Sequence, residues 1–192
     1  MNLAVFVSGG GTNLQAIIDA IDNSILPNIN IELVLADRNC YAIERAKANN
    51  IKHAVFNRKE INHEAIYNVL IENNISHIVL AGYLSIIDVA ICKNWKNKII
   101  NIHPSLLPKY GGKGMYGEKV HEAVVANKDS FSGATVHFVT EGIDEGEIIV
   151  QKQIALNENE TVVSLQQKVL KVEHEILIDS LKILYAKEKS AD

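Results

Sequence analysis

The stretch that decides the fold is LAVFVSGGGTN, residues 3–13. Residues 3–7 form a short, continuous apolar run, which predicts a strand buried on both faces. Ser8 and three glycines follow at once, and residues 13–24 then carry apolar side chains at three- and four-residue spacing, which predicts a helix. A strand, a glycine turn and a helix in this order are typical of the first unit of an α/β protein.

The same alternation continues along the chain. Strands are predicted over residues 31–36, 77–81, 99–102 and 134–139 and near 147–154, and helices over 42–49, 62–73 and about 161–187, the last with Thr161 as its start signal. We therefore predict a Rossmann-like, doubly wound, mostly parallel sheet with helices on both faces, in a single domain of residues 1–192.

Composition excludes several classes of protein. The formal net charge of −4 argues against a general nucleic-acid binder, and no apolar run approaches the roughly 20 residues of a membrane helix. Cys40 and Cys92 lie far apart and are expected to be reduced thiols in a cytoplasmic protein. The expected partners are small molecules, without nucleic acid or membrane, for a chain that is a monomer or a homodimer.

In parallel sheets, ligands bind beyond the carboxyl ends of the strands, which selects residues 8–13, 82–87, 101–117 and 140–146. The three glycines of residues 9–11 allow a close backbone approach to an anion at a helix start, which favours phosphate binding. The alternative is a tight turn in which Thr12 or Asn13 caps the helix. The loop lacks the lysine of a P-loop and the full dinucleotide fingerprint.

Asn101 and His103 alternate on a predicted strand that Pro104 ends, so their side chains project together. An amide and an imidazole at a strand end suit acyl transfer, in which Asn101 would hold the developing oxyanion and His103 would handle a proton. A protonated His103 would also donate to that oxyanion, and His103 or a water held near Asp144 would shuttle protons. A purely structural role for His103 is the alternative. If the acidic loop 140–146 folds over His103, Asp144 should raise the pKa of the imidazole and orient it. His137 is predicted to point inward from the strand before this loop.

Metal and serine-hydrolase chemistry are disfavoured by spacing. The His-Glu pairs at residues 63–64, 121–122 and 174–175 lack the second histidine of H-E-x-x-H. There is no cysteine cluster and no G-x-S-x-G motif.

The segments SGGGTNLQAII, LAGYL, NIHPSLLPKY, GATVHFVTEGIDEGEII and VEHEIL closely resemble those of the folate-dependent phosphoribosylglycinamide formyltransferases, from residue 2 to about 180. The resemblance implies the formyltransferase fold. It also implies formyl transfer, in de novo purine biosynthesis, from 10-formyltetrahydrofolate as co-substrate to the amine of 5-phosphoribosylglycinamide, with no metal.

The resemblance also implies roles for individual residues. The implied catalytic residues are Asn101, His103 and Asp144. The ribonucleotide would be bound by Gly11, Thr12, Asn13 and Glu173, although the pattern around Glu173 alone predicts only a solvated helix charge. The folate would be bound by Leu84, Ser85, Ile86, Ile87, Asn101 and Arg58.

Several positions depart from the family pattern. Ser85 stands where many members carry an arginine, and a second arginine appears replaced near His63, with Arg58 close enough to substitute. Leu170 stands where a polar residue is common. The glycine-rich segment 111–117 is expected to be either a lid beside the site or a flexible connector.

Related activities remain as alternatives: a formyltetrahydrofolate hydrolase, a methionyl-tRNA formyltransferase or a sugar-nucleotide formyltransferase. The first and the second normally carry an extra domain, for which a chain of this length is not expected to have room. A catalytically silent nucleotide-binding module is the alternative outside the enzymes, and the joint presence of Asn101, His103 and Asp144 argues against it.

Overall fold

The computed structural model of the chain describes residues 1–191. Its seven strands have the order β3-β2-β1-β4-β5-β6-β7 in the sheet. By internal contacts the chain divides into two compact units, the first covering Met1–Asn101 and the second beginning at Ile102. The predicted α/β class with a mostly parallel sheet is confirmed.

The strands of the first unit are joined by helices and pair in parallel. They are β1 (Asn2–Val7), β2 (Asn30–Ala36), β3 (His53–Val55), β4 (His77–Leu80) and the first part of β5 (Ile99–His103), whose last two residues belong to the second unit. The helices are α1 (Thr12–Asp22), α2 (Tyr41–Ala48), α3 (His63–Glu72) and α4 (Val89–Asn94), with one 3₁₀ turn at Arg58–Glu60.

β1 is central in this unit because it pairs with both β2 and β4. Its residues 3–7 are completely buried, as the continuous apolar run predicts. The carboxyl end of β1 therefore lies beside the ends of β2 and β4, and the first two predicted site segments, 8–13 and 82–87, follow β1 and β4.

The second unit contains one helix followed by an antiparallel hairpin and a long final helix. These elements are α5 (Glu118–Ala126), β6 (Phe131–Phe138), β7 (Ile148–Ala155) and α6 (Val162–Ala191). α6 contacts β6, β7 and α5. Thr161 begins α6 as predicted, since its side-chain oxygen accepts the Ser164 N–H at 3.1 Å. Among residues 1–191 no helix has the length and apolarity to cross a membrane.

Candidate active site

The glycine loop follows β1 as predicted, and it is built by backbone rather than side-chain contacts. Gly11 has φ of 73° and is the residue before α1, and no side chain caps this helix start. The alternative interpretation, in which Thr12 or Asn13 caps the helix, is therefore wrong. A Cβ on Gly11 would lie 2.6 Å from the Ala42 Cβ, so the close approach of α2 requires glycine here. A helix start without a side-chain cap suits an anionic ligand.

A cation that the sequence interpretation missed lies beside this loop. The Arg45 Nε donates to the Gly10 carbonyl at 2.7 Å, and its Nη1 donates to the Gln15 side chain at 3.3 Å. The guanidinium also lies 5.0 Å from the Tyr41 ring centre. Arg45 thus fixes the loop and adds positive charge next to it, which favours an anion there. Arg45 was missed because it lies on α2, 35 residues from Gly10 in the chain, so no local motif connects it with the glycine loop.

The segment predicted to line a folate pocket, residues 84–87, has no helix or strand structure. The Leu84 N–H donates to the Ser8 hydroxyl at 2.9 Å, so this segment is bonded to the residue that precedes the glycines. Ile86 is 75% exposed. Arg58 and His63 are both exposed in the same unit, with His63 at the start of α3.

In the second unit the loop 140–146 does fold against His103. The His103 Nδ1 lies 3.7 Å from the Asp144 Oδ2, and the His137 Nε2 lies 3.6 Å from the other carboxylate oxygen. Both imidazoles are buried, at 4% and 2% exposure. Asp144 itself adopts φ of 56°, a left-handed conformation that Asp and Asn tolerate better than most residues. The structure therefore brings together His103 and Asp144, two of the three predicted catalytic residues, with His137 beside them.

Backbone groups of the glycine-containing strap, residues 105–117, orient the same pair. The His103 Nε2 lies 2.8 Å from the Tyr110 carbonyl oxygen, which can only accept, so the proton of the neutral ring is on Nε2. The Gly112 N–H donates to the Asp144 Oδ2 at 3.0 Å. The Tyr110 phenol accepts from Asn127 and donates to Asp129, each at 2.8 Å, which anchors the strap.

The expected rise in the pKa of His103 is wrong. Burial lowers the pKa below 6.5, and the opposing effects of the Asp144 charge and the Tyr110 carbonyl are too small to restore it. Asp144 shows the reverse balance. Burial alone would raise its pKa, but the contact with His137, the charge of His103 and the Gly112 N–H hold the pKa below its usual value. At neutral pH the pair is a neutral imidazole facing a carboxylate.

A fourth buried group belongs to this cluster and was not predicted. His121 on α5 is 2% exposed, and within the described residues its Nδ1 has no hydrogen-bond partner. Burial and then the charge of His103 lower its pKa to about 4. In the sequence His121 belongs to a His-Glu pair without the second histidine of the zinc motif, and this pattern does not indicate burial.

Of the two remaining predicted residues, Asn101 lies on a strand as predicted, whereas Glu173 differs from what the helix pattern predicts. Asn101 is half-buried on β5, two residues before His103, so both side chains leave the same face of the strand. Glu173 on α6 is only 9% exposed, so the interpretation as a solvated helix charge is wrong. Among residues 1–191 no group of three or more His, Cys, Asp or Glu side chains could hold a metal ion.

Comparison with known proteins identifies the family of the chain. A family model described as formyl transferase matches residues 1–181. The chain therefore belongs to the formyl transferase family.

Among its relatives are proteins named phosphoribosylglycinamide formyltransferase. The chloroplastic protein of Arabidopsis thaliana is 36% identical over 183 residues, which are 92% of this chain and 63% of that protein. The protein of Haemophilus influenzae is 36% identical over 180 residues, 91% of this chain and 82% of that protein. The crystal structure from Bacillus halodurans superposes with a TM-score of 0.88 at 30% identity, covering 98% of this chain and 97% of that one. This chain spans about three fifths of the two plant relatives, 63% and 60% of their lengths.

Proposed function

We propose that this chain transfers a formyl group from 10-formyltetrahydrofolate to the amine of 5-phosphoribosylglycinamide, in de novo purine biosynthesis. The products are the N-formyl ribonucleotide and tetrahydrofolate. The observation that carries the proposal is the buried His103, with one ring nitrogen on the Tyr110 carbonyl and the other facing Asp144. The names of the bacterial and plant relatives support the choice of substrates.

The substrates are assigned to the residues that the sequence resemblance selects. The ribonucleotide phosphate is assigned to Gly11, Thr12 and Asn13, with Arg45 adding positive charge beside the loop. Glu173 is assigned to the glycinamide end, where a buried carboxylate can accept from an amine or amide. The folate is assigned to Leu84–Ile87, Arg58 and Asn101, and the exposed Ile86 supports an apolar contact there.

The direction of the His103 pKa changes its role from that expected. A neutral His103 has its lone pair on Nδ1, on the side of Asp144, and is a base rather than an acid at rest. As the amine nitrogen bonds to the formyl carbon, His103 takes the amine proton, and the Asp144 carboxylate stabilises the imidazolium that forms. That proton then passes to N10 of the folate as the bond between N10 and the formyl carbon breaks. No metal or covalent intermediate takes part.

Negative charge develops on the formyl oxygen during this exchange, and Asn101 is the assigned donor. Its side-chain amide shares the face of β5 with His103. Loss of one such donor lowers turnover by about 10² to 10³ in other acyl-transfer enzymes, because the donor is fixed before charge develops.

The alternative acceptors are distinguished by following the formyl carbon. Purified protein is mixed with 10-formyltetrahydrofolate labelled with ¹³C in the formyl group, with 5-phosphoribosylglycinamide present or absent. We expect the label in the formamide of the ribonucleotide product and little formate without the amine. Label in formate without the amine identifies a hydrolase, and transfer only to an amino sugar nucleotide or to methionyl-tRNA identifies those activities. Retention of all the label on the folate identifies a silent binding module.

The cytoplasm is the compartment that we propose, with a monomer or homodimer as the working form. The formal net charge of −4 supports small-molecule substrates over tRNA. The names of the plant relatives place those proteins in chloroplasts.

A further inference from the structure

The residue after β2, Asp37, has a completely buried side chain, at 0% exposure. Carboxylates are almost never fully buried unless charged or polar donors surround them. Here the Arg38 Nε donates to the Asp37 Oδ1 at 3.0 Å and its Nη2 donates to Oδ2 at 3.3 Å. The Ser85 hydroxyl donates to Oδ2 at 2.6 Å. The group is therefore a satisfied, ionised carboxylate in the interior.

The partners of Asp37 belong to three segments that the proposed function uses. Ser8 precedes the glycine loop, and its hydroxyl is bonded to Asp37 while it accepts the Leu84 N–H. Ser85 lies in the segment 84–87. The Asp37 carbonyl also accepts the backbone N–H of Arg58 at 2.9 Å. One buried residue thus joins the start of the phosphate loop to both parts of the assigned folate site.

These hydrogen bonds keep the Asp37 carboxyl group ionised. Burial alone would raise the pKa of its carboxyl, but the hydrogen bonds from Arg38, Ser85 and Ser8 hold the pKa below its usual value. With no exposed surface, the side chain cannot contact a ligand directly. Any effect of Asp37 on substrates must therefore pass through the segments that it holds.

We propose that Asp37 is a positioning residue that fixes the segment 84–87 relative to the glycine loop and so couples the two substrate-binding segments of the first unit. The identity of the two ligands rests on the proposed function. The mechanical part of the proposal does not, because the bonds concerned are present without substrate.

The first test is therefore independent of activity. Amide hydrogen exchange is measured on the ligand-free wild type and on Asp37→Asn, Ser85→Ala and Asp22→Asn. Asp22 is exposed at the end of α1 and is the matched control. We expect exchange in residues 84–87 to accelerate by about tenfold in the first two variants, the scale of one lost charge-assisted hydrogen bond, and to stay unchanged in the control. Unchanged exchange in Ser85→Ala, which should fold whether or not the Asp37 variant does, overturns the proposal.

The second test separates positioning from a merely structural role. In Asp37→Asn the KM values for both substrates should rise by about tenfold while kcat changes by no more than about twofold. A lower kcat at unchanged KM, accompanied by a lower Tm, would mean that Asp37 serves folding only. If no variant and no wild type turns over these substrates, the proposed function fails, while the exchange result still decides the positioning role.

Discussion

His103 combines two opposing influences whose balance decides the chemistry. Its burial favours the neutral ring, while the Asp144 carboxylate and the Tyr110 carbonyl favour the charged one. The effect of burial is the larger one, so the pKa of His103 lies below its ordinary value. In the proposed reaction, the same carboxylate stabilises the charge that the ring acquires. In the proposed mechanism His103 is therefore unprotonated at neutral pH and can accept the amine proton. The imidazolium that forms can then donate this proton to N10 of the folate.

Replacing Asp144 by Asn should move the acid limb of the pH dependence of kcat/KM to lower pH. The proposed reaction requires neutral His103, and loss of the carboxylate removes an influence that raises the pKa of this imidazole. Asn accepts the left-handed backbone of residue 144, so the loop should keep its conformation. Glu145→Gln removes a charge from an exposed position of the same loop and is the control. If the acid limb of Asp144→Asn lies at the same pH as that of the wild type, the Asp144 charge does not raise the pKa of His103.

Part of the site could be predicted from residues alone. The alternation of Asn101 and His103 and the acidic loop after the His137 strand led to a group that the structure assembles. The sign of the His103 pKa could not be predicted, because it depends on how deeply the ring is buried. Asp37 follows a predicted strand directly, so the rule that ligands bind at strand ends could have selected it. Its bond to Ser85, 48 residues away, has no local signal.

At the scale of elements, the start of α1 depends on one glycine. Residue 11 must be glycine for two reasons: its backbone is left-handed, and α2 approaches it too closely for a side chain. We expect Gly11→Ala to lower the free energy of unfolding by about 2 kcal/mol and to raise the KM for the phosphorylated amine by at least about tenfold.

Gly10→Ala is the matched control for stability, because a Cβ there would meet no atom within 4 Å. Its free energy of unfolding should stay within about 0.5 kcal/mol of the wild-type value. Urea unfolding and steady-state kinetics measure both effects. Equal stability of the two variants would show that the backbone of residue 11 is not constrained as described.

The predicted elements are confirmed where apolar periodicity is long and missed where it is short. Six strands and four helices agree with the sequence prediction to within about three residues at most ends. β3 has three residues and α4 has six, too few for a periodic signal. α5 follows a glycine-rich strap and buries only three residues, so its pattern resembled a loop.

At the scale of the whole molecule, composition and charge predict a protein that binds small molecules rather than nucleic acid. The expectation of a single domain predicts one cooperative unfolding transition. The structure adds a source of acid sensitivity that composition cannot reveal, since only burial distinguishes His121 from an exposed histidine.

The wild type should lose about 3 kcal/mol more stability than His121→Leu between neutral pH and pH 4. The pKa of His121 falls from 6.5 to about 4 on folding, so the unfolded chain binds more protons in this window. This contribution to stability is complete above the unfolded pKa of 6.5 and is lost as the pH falls towards the folded value. Urea unfolding across this range measures it. Parallel stability curves for the two proteins would contradict a buried neutral His121.

The most direct test of the account is the turnover of His103→Ala with 10-formyltetrahydrofolate and 5-phosphoribosylglycinamide, followed by the absorbance of the released folate. We predict that kcat falls by about 10² to 10⁴, the range for a general acid–base, while both KM values stay near those of the wild type. Near-normal turnover in this variant would contradict the assignment of the formyl transfer to His103 and Asp144.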